Sequence, residues 1–494
     1  MVMTKRMEKN NNISVVEYEV DFPLCDDEFG NPIPWVVPKK PIKDLKTGKL
    51  IPQYEVDCMV LSDYIKSNLN YLFVRENAMG SRLIYVYNDG VYRLVNEEEF
   101  KGFIKSFIPS EIRRSKDINE IFFDISTEHR YISCEMLNND EKYINFKNGL
   151  LNIETMQMEK HNPRILSTIQ IPVDYLPLKY CDKGINFENY IDYLADGDEC
   201  AKNILLQCMG LVISNVYGYR TKKSLFLIGK HNTGKTQIKE LLVKLIGIEN
   251  VSSVDLERLN SQFGTSELYQ KRLAGSNDMG YQTINDMAIF KQLTGGDTIS
   301  IEFKGKGSFP YRFKGFLWYN TNAYPKFSGD KAKELYNRII PIYCNHVVPK
   351  EKRDRHLLEK MYKERQYIVA LCIEKLKELI DNDFEFVESE KIVKTREEYE
   401  VENNNLYMFV KDCCIVSKSP LDQGERVTRK TFRLAYTRWC DSNSYRYKVN
   451  DNDLMEYLSQ KYGTRLIKSS GYYKLDNIKL TYECRQEFNI YNDE

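Results

Sequence analysis

The chain has 494 residues, enough for about three domains with separate cores. Its 71 Lys and Arg balance 71 Asp and Glu, which excludes a global electrostatic case for nucleic-acid binding and leaves only local surfaces for it. There is no apolar leader, no run of about eighteen apolar residues, and no paired C-x-x-C among the twelve cysteines, so reduced thiols in a cytoplasmic protein are expected.

Residues 1–50 are polar and carry Pro32, Pro34, Pro38 and Pro41, which predicts an extended, partly mobile lead-in. The apolar run 83–87, the turn Asn88-Asp89-Gly90 and the run 91–94 predict a hairpin, followed by an amphipathic helix over 97–107. A second short β unit is expected at 143–146 and 150–153, then helix over about 186–215. Residues 352–382 read as helical and 388–405 as a charged connector. The last 90 residues read as a small α+β module: helices over 406–415, 428–440 and 451–462, then strands at 465–468 and 472–475.

The most informative segment is Gly229-Lys-His-Asn232-Thr233-Gly234-Lys235-Thr236, a G-x-x-x-x-G-K-T run. It follows a continuously apolar stretch, 224–228, and precedes a helical pattern over 237–246. Strand, glycine-rich turn and helix is the context in which this spacing binds phosphate. Backbone N–H groups of the loop, including those of Asn232 and Thr233, would wrap a polyphosphate at a helix N-terminus. Lys235 would reach the β- and γ-phosphates of ATP, and the Thr236 hydroxyl would hold Mg²⁺.

Downstream, 271–276 ends in Asn277-Asp278, which reads either as a strand delivering a carboxylate or as a surface acid. Lys291-Gln-Leu-Thr-Gly-Gly-Asp297 follows, then a hairpin whose tip carries Lys304 and Lys306, and an apolar strand ending Asn320-Thr-Asn322-Ala-Tyr-Pro325. K-x-L-T-G-G-D, a lysine-bearing hairpin and a strand ending in N-x-x-P resemble the signature of superfamily 3 helicases of the phage and plasmid primase–helicase type. The segment Asn145-Phe-Lys-Asn148-Gly149-Leu-Leu, with His161-Asn-Pro163 and Ile171-Pro-Val, is similar to the region preceding the ATPase in that family.

The resemblance covers roughly 60–345 and implies roles residue by residue. Lys235, Asp278, Asn322 and Arg338 would be catalytic: phosphate lysine, metal- or water-positioning acid, sensor amide, and an arginine reaching a neighbouring subunit's ATP. Asn320 is a rival for the sensor role. Asp278 would share Mg²⁺ with Thr236. Lys304 and Lys306 would grip single-stranded DNA in a ring channel, a solvated turn being the alternative.

Three helices and a hairpin predict a winged-helix module, local net charge about +6, with Arg429, Lys430 and Arg433 facing DNA or, alternatively, the whole module docking protein. Relatives often carry an N-terminal primase domain. Residues 1–60 are too short for one and lack D-x-D, so no primase activity is expected.

The expected fold is α/β: an AAA+-like P-loop ATPase core (216–390), preceded by an N-terminal α+β domain (1–140) and a helicase-associated region (141–215), and followed by a winged-helix module (404–494). The expected activity is that of a hexameric, ATP-dependent DNA helicase replicating a mobile genetic element, with element or host replication proteins as partners. A nucleotide-gated DNA-binding regulator and a packaging or defence ATPase are the alternatives.

Overall fold

The structure, a computed structural model, describes residues 4–9, 12–17, 23–27, 29–75, 82–127, 131–279, 283–284, 287–304, 308–322, 326–327, 335–445, 448–469 and 471–490. The chain divides into two compact units, Met1–Asn139 with His161–Gln170, and Asp140–Lys160 with Ile171–Glu494. Among the described residues no helix is long and apolar enough to cross a membrane.

The first unit holds a four-stranded sheet in the order Val91–Val95, Arg82–Asn88, Tyr71–Arg75, Tyr131–Ser133. The expected hairpin is present, and Asp89 (φ 49°) and Gly90 (φ 85°) both take the left-handed conformation that a two-residue turn of matching twist needs. The helix Glu97–Ser106 starts with a reciprocal cap between Asn96 and Glu99. With the helices Cys58–Asn68 and Ser115–Thr127 it buries Leu61, Ile65, Phe100, Ile104, Ile121 and Ile125 in one core with Phe73.

Residues 1–50 depart from the expected lead-in. Thr4–Lys9 pairs with Asn12–Glu17, and Val36–Lys43 pairs with Leu50–Val56. Trp35 and Val36 are buried in the core, and the Trp35 indole N–H donates to the Phe107 carbonyl at 2.8 Å. The prolines concealed this. In a two-stranded ribbon both strands are edges, so Pro38 and Pro41 can face away from the ladder.

The second unit is built on a five-stranded parallel sheet ordered Val251–Ser252, Leu273–Ala274, Phe316–Thr321, Ser224–Ile228, Ile339–Tyr343. Every residue of Ser224–Ile228 and Phe316–Thr321 is buried, which is why both read as continuous apolar runs. The helix Lys235–Ile246 follows the first of these strands. Helices Glu199–Ile213 and Arg365–Asp381 pack closely, and a Cβ on Gly210 would lie 2.6 Å from the Cys372 carbonyl oxygen. The helix Ile185–Leu194 starts at Gly184, which has no side chain to cap it; Glu364 does so from a distance, accepting from the N–H of Asn186 (3.0 Å) and of Phe187 (2.9 Å).

The expected lysine hairpin is Ile299–Glu302 paired with Ser308–Tyr311, braced by Tyr269 against Phe303, Phe309 and Tyr311. The expected connector 388–405 is instead helical over Glu390–Asn403. Ile392, Thr395 and Tyr399 are buried at spacings of three and four, a stripe that the surrounding charges masked. The C-terminal helices are Asn405–Cys413, Arg429–Ser442 and Asp451–Tyr462, followed by the hairpin Leu466–Ser469 and Tyr472–Leu475. Cys414–Val416 also pairs with Ile478–Leu480, a contact too short to read from the sequence.

Glu364→Ala should lower stability by about 1–3 kcal/mol, because two N–H donors at the helix start, one half-buried and one buried, lose their acceptor. A shift in urea midpoint measures it, and Glu364→Gln, which keeps one carbonyl, should lose less.

Candidate active site

Open parallel sheets leave a crevice where strand order reverses, at the C-terminal strand ends. Here that point is the end of Ser224–Ile228, which lies between Phe316–Thr321 and Ile339–Tyr343. The loop 229–234 starts there. A Cβ on Gly229 would sit 2.2 Å from the Cys344 carbonyl oxygen, so the loop backbone can lie this close only with glycine. Asn232 (φ 64°) and Gly234 (φ 94°) then turn the chain into the helix Lys235–Ile246. Outside contacts hold the loop: the Val348 N–H donates to the Asn232 carbonyl (2.9 Å) and the buried Tyr190 hydroxyl to the Gly234 carbonyl (2.8 Å).

Among the described residues, no protein acceptor takes the backbone N–H groups of residues 230–236, and no side chain caps this helix. The result is a cradle of donors at the positive end of a helix dipole. The Lys235 side chain is buried within it, its ammonium donating to the carbonyls of Gly229 and Lys230 (2.8 Å) and to the Thr233 hydroxyl (3.1 Å). Burial holds its pKa below the ordinary lysine value. Thr233 is buried and donates to the Lys230 carbonyl at 3.2 Å, whereas Thr236 is exposed on the first helical turn.

Asp278 follows the short strand Leu273–Ala274 and is exposed at the same edge of the sheet. The Asn322 amide donates to its carboxylate at 2.9 Å and lies 3.3 Å from His231 Nε2, which joins the acid, the amide and the loop. Asn320, the rival amide, is fully buried. Its Nδ2 donates to the Lys235 carbonyl (3.0 Å) and its Oδ1 accepts from the Trp318 indole (3.2 Å), so both ends are engaged inside the fold.

Sequence reasoning missed Lys239. One turn beyond Lys235, it is 2% exposed, and its ammonium donates to the carbonyls of Gly275 (2.6 Å), Trp318 (3.1 Å) and Ser276 (3.3 Å). It ties the helix to the two strands that lead to Asp278 and Asn322. Burial pushes its pKa down to about 7. The signal was available: a lysine four residues after Lys235, adjacent to the apolar stripe Ile238, Leu241, Leu242, Leu245.

Arg338 stands apart from this group. It precedes Ile339–Tyr343 at the opposite sheet edge, its carbonyl accepting from the Ser224 N–H at 2.8 Å. Five residues of strand, about 15 Å, separate it from the loop end of the sheet. Its guanidinium donates to the Lys291 carbonyl (3.1 Å) and the Thr294 hydroxyl (3.0 Å) on the helix Ala288–Gly295. It also lines a cleft of about 880 Å³ with Arg220, Lys222, Asp383 and Glu385.

Lys304 is exposed next to the hairpin tip, while Lys306 and the Ala323-Tyr324-Pro325 end of the amide motif lie outside the described residues. In the C-terminal module Arg429 pairs with Asp451 and Arg433 donates to the Val449 carbonyl, whereas Lys430 is exposed. No cluster of three or more His, Cys, Asp or Glu among the described residues is placed to hold a metal ion.

Residues 71–200 match the family described as D5 N terminal like, and residues 227–338 match a family of unknown function (DUF5906). The second match begins inside Ser224–Ile228 and ends on Arg338, enclosing Lys235, Lys239, Asp278 and Asn322. No curated protein matches the chain. Two solved apo structures of the NrS-1 C terminal region are similar at 13% and 14% identity, with TM-scores of 0.44 and 0.42, each covering 86% of this chain and 100% of that one.

Lys239 makes a pH prediction. Between about pH 7 and 10 the unfolded lysine binds a proton that the folded one has released, so stability rises with pH over that window. Urea midpoints at pH 7, 8 and 9 should therefore climb in the wild type relative to Lys239→Met, by a total on the order of a few kcal/mol.

Proposed function

We propose that the chain is a DNA-dependent ATPase that acts as a ring helicase in replication of a mobile genetic element. The observation that carries this reading is the convergence, at one sheet edge, of the free N–H cradle, the Lys235 ammonium and the Asp278–Asn322 pair. An N–H cradle with a buried lysine suits a polyphosphate, and a carboxylate hydrogen-bonded to an amide suits placement of an attacking water. The strand that ends just before Asn322 lies between those leading to the loop and to Asp278, which brings the three together. The motif resemblance over 60–345 and the D5 N terminal like match support a replicative role.

In this reading Lys235 exchanges the Gly229 and Lys230 carbonyls for β- and γ-phosphate oxygens. Mg²⁺ held by Thr236 and Asp278 would neutralise phosphate charge. Asn322 keeps the Asp278 carboxylate aimed at the water position. Arg338 is too far along the sheet to act on its own subunit's loop, which supports a role on a neighbour's nucleotide and hence a ring, proposed as a hexamer. The lysine hairpin supplies the DNA grip within that ring.

Lys235→Ala should abolish ATP hydrolysis, and Arg338→Ala should reduce it by roughly 10³–10⁵ while ATP still binds. Because the arginine acts in trans, mixing the two inactive variants should restore some hydrolysis in mixed rings. A wild-type rate in Lys235→Ala, or no rescue in subunits shown to mix, overturns the corresponding assignment.

Single-stranded DNA should raise the hydrolysis rate of the wild type. Lys304→Ala with Lys306→Ala should remove both that stimulation and fork unwinding while hydrolysis without DNA persists. Lack of any stimulation in the wild type would point instead to a nucleotide-gated switch.

A further inference from the structure

The C-terminal module carries its usable positive charge in an unexpected place. The helix Asp451–Tyr462 holds the position after two helices where a winged-helix protein reads duplex DNA. It contains Asp451, Asp453 and Glu456 against a single cation, Lys461. Asp453 and Glu456 are exposed. A surface of this sign repels a duplex backbone. The arginines of the preceding helix are largely engaged within the module: Arg429 with Asp451, Arg433 with the Val449 carbonyl, and Arg438 with the Asn489 carbonyl at 3.2 Å.

The hairpin Leu466–Ser469 and Tyr472–Leu475 differs. The segment 463–475 holds three cations, Arg465, Lys468 and Lys474, and no acid. None of the three has a side-chain partner among the described residues. Two tyrosines stand out from the same hairpin, Tyr472 at 48% and Tyr473 at 53% exposure. The register places Tyr473 opposite Lys468 and Tyr472 opposite Ser469, so the two rings lie on opposite faces. Tyr473 shares its face with Lys468, and Tyr472 shares the other with Lys474. The hairpin is anchored at its base by the buried Leu475 and near its tip by Gln423, whose amide donates to the Ser469 hydroxyl at 2.6 Å.

We propose that this hairpin is a binding site for single-stranded DNA, with Lys468, Lys474 and Arg465 on phosphates and Tyr472 and Tyr473 stacking on unpaired bases. The inference rests on the DNA-dependent reading above and names the element and the strandedness. A cation beside an exposed ring on each face matches a flexible strand whose bases are free to stack; bases in a duplex offer no such face. Charge complementarity decides against the neighbouring acidic helix as the contact.

The test uses the full chain and an oligothymidine carrying one 5-iododeoxyuridine. Irradiation should crosslink the oligonucleotide to the peptide containing Tyr472 and Tyr473. Tyr472→Leu with Tyr473→Leu should weaken oligothymidine binding about tenfold or more, whereas Tyr472→Phe with Tyr473→Phe, which keeps both rings, should restore it. Lys468→Ala should make the salt dependence shallower by about 0.7 log units per log salt. Asp453→Asn with Glu456→Gln should leave binding of either DNA unchanged. Wild-type binding of oligothymidine that survives the Leu substitutions overturns the hairpin site while leaving the DNA-dependent motor in place. Tighter duplex binding on removing the two acids shows that the helix faces DNA, and overturns it too. Failure of the wild type both to bind oligothymidine and to respond to it in hydrolysis removes the parent reading as well.

Discussion

One buried ammonium holds the candidate site in register. Lys239 points away from the loop, into the space between the helix and the sheet, and the carbonyls of Gly275, Ser276 and Trp318 close around it. Two of these belong to the chain leading to Asp278 and the third to the strand leading to Asn322. Gly275 and Ser276 lie just past the end of their strand and Trp318 lies within its own, Ser276 also accepting from the Asn320 N–H at 3.0 Å, so the ammonium adds to a ladder that is already formed. Below about pH 7, where it keeps its proton, the lysine offers three N–H groups at once, which a serine or asparagine cannot; above that it offers two. The same burial that makes these hydrogen bonds strong also depresses the pKa, so the clamp works under electrostatic tension.

Asn320 performs the complementary task on the other side. By donating to the Lys235 carbonyl and accepting from Trp318, it joins the first helical residue to the middle of the sheet. The helix that follows the loop is thus tied to the sheet by two buried polar groups, while among the described residues no protein acceptor takes the loop's own N–H donors. Rigid surroundings around an unsatisfied cradle are what preorganised phosphate recognition requires.

Much of this was legible in the residues. The loop, its strand and its helix follow from spacing and apolar periodicity alone, and the C-terminal helices and hairpin fall within a residue or two of their expected limits. What escaped had a physical cause in each case. The ribbon Val36–Lys43 with Leu50–Val56 hid behind prolines that edge strands tolerate. The helix Glu390–Asn403 hid behind charge, since its buried stripe needs only Ile392, Thr395 and Tyr399. The choice between Asn320 and Asn322 was undecidable in one dimension, because two residues along a strand of this sheet separate a buried end from an open one. Local charge counting over the C-terminal module was the weakest guide, for it could not see which arginines already had partners.

The anchoring of Arg338 has a mechanical side. Its guanidinium grips the helix Ala288–Gly295, and that helix runs through Asp297 directly into the hairpin Ile299–Glu302 and Ser308–Tyr311. Only Nη1 is engaged there among the described residues; the remaining N–H donors of the fork are available to an anion. Under the proposed role on a neighbour's nucleotide, the guanidinium that meets the phosphate would be the same one that holds Lys291 and Thr294, so the helix leading to the hairpin would share the contact.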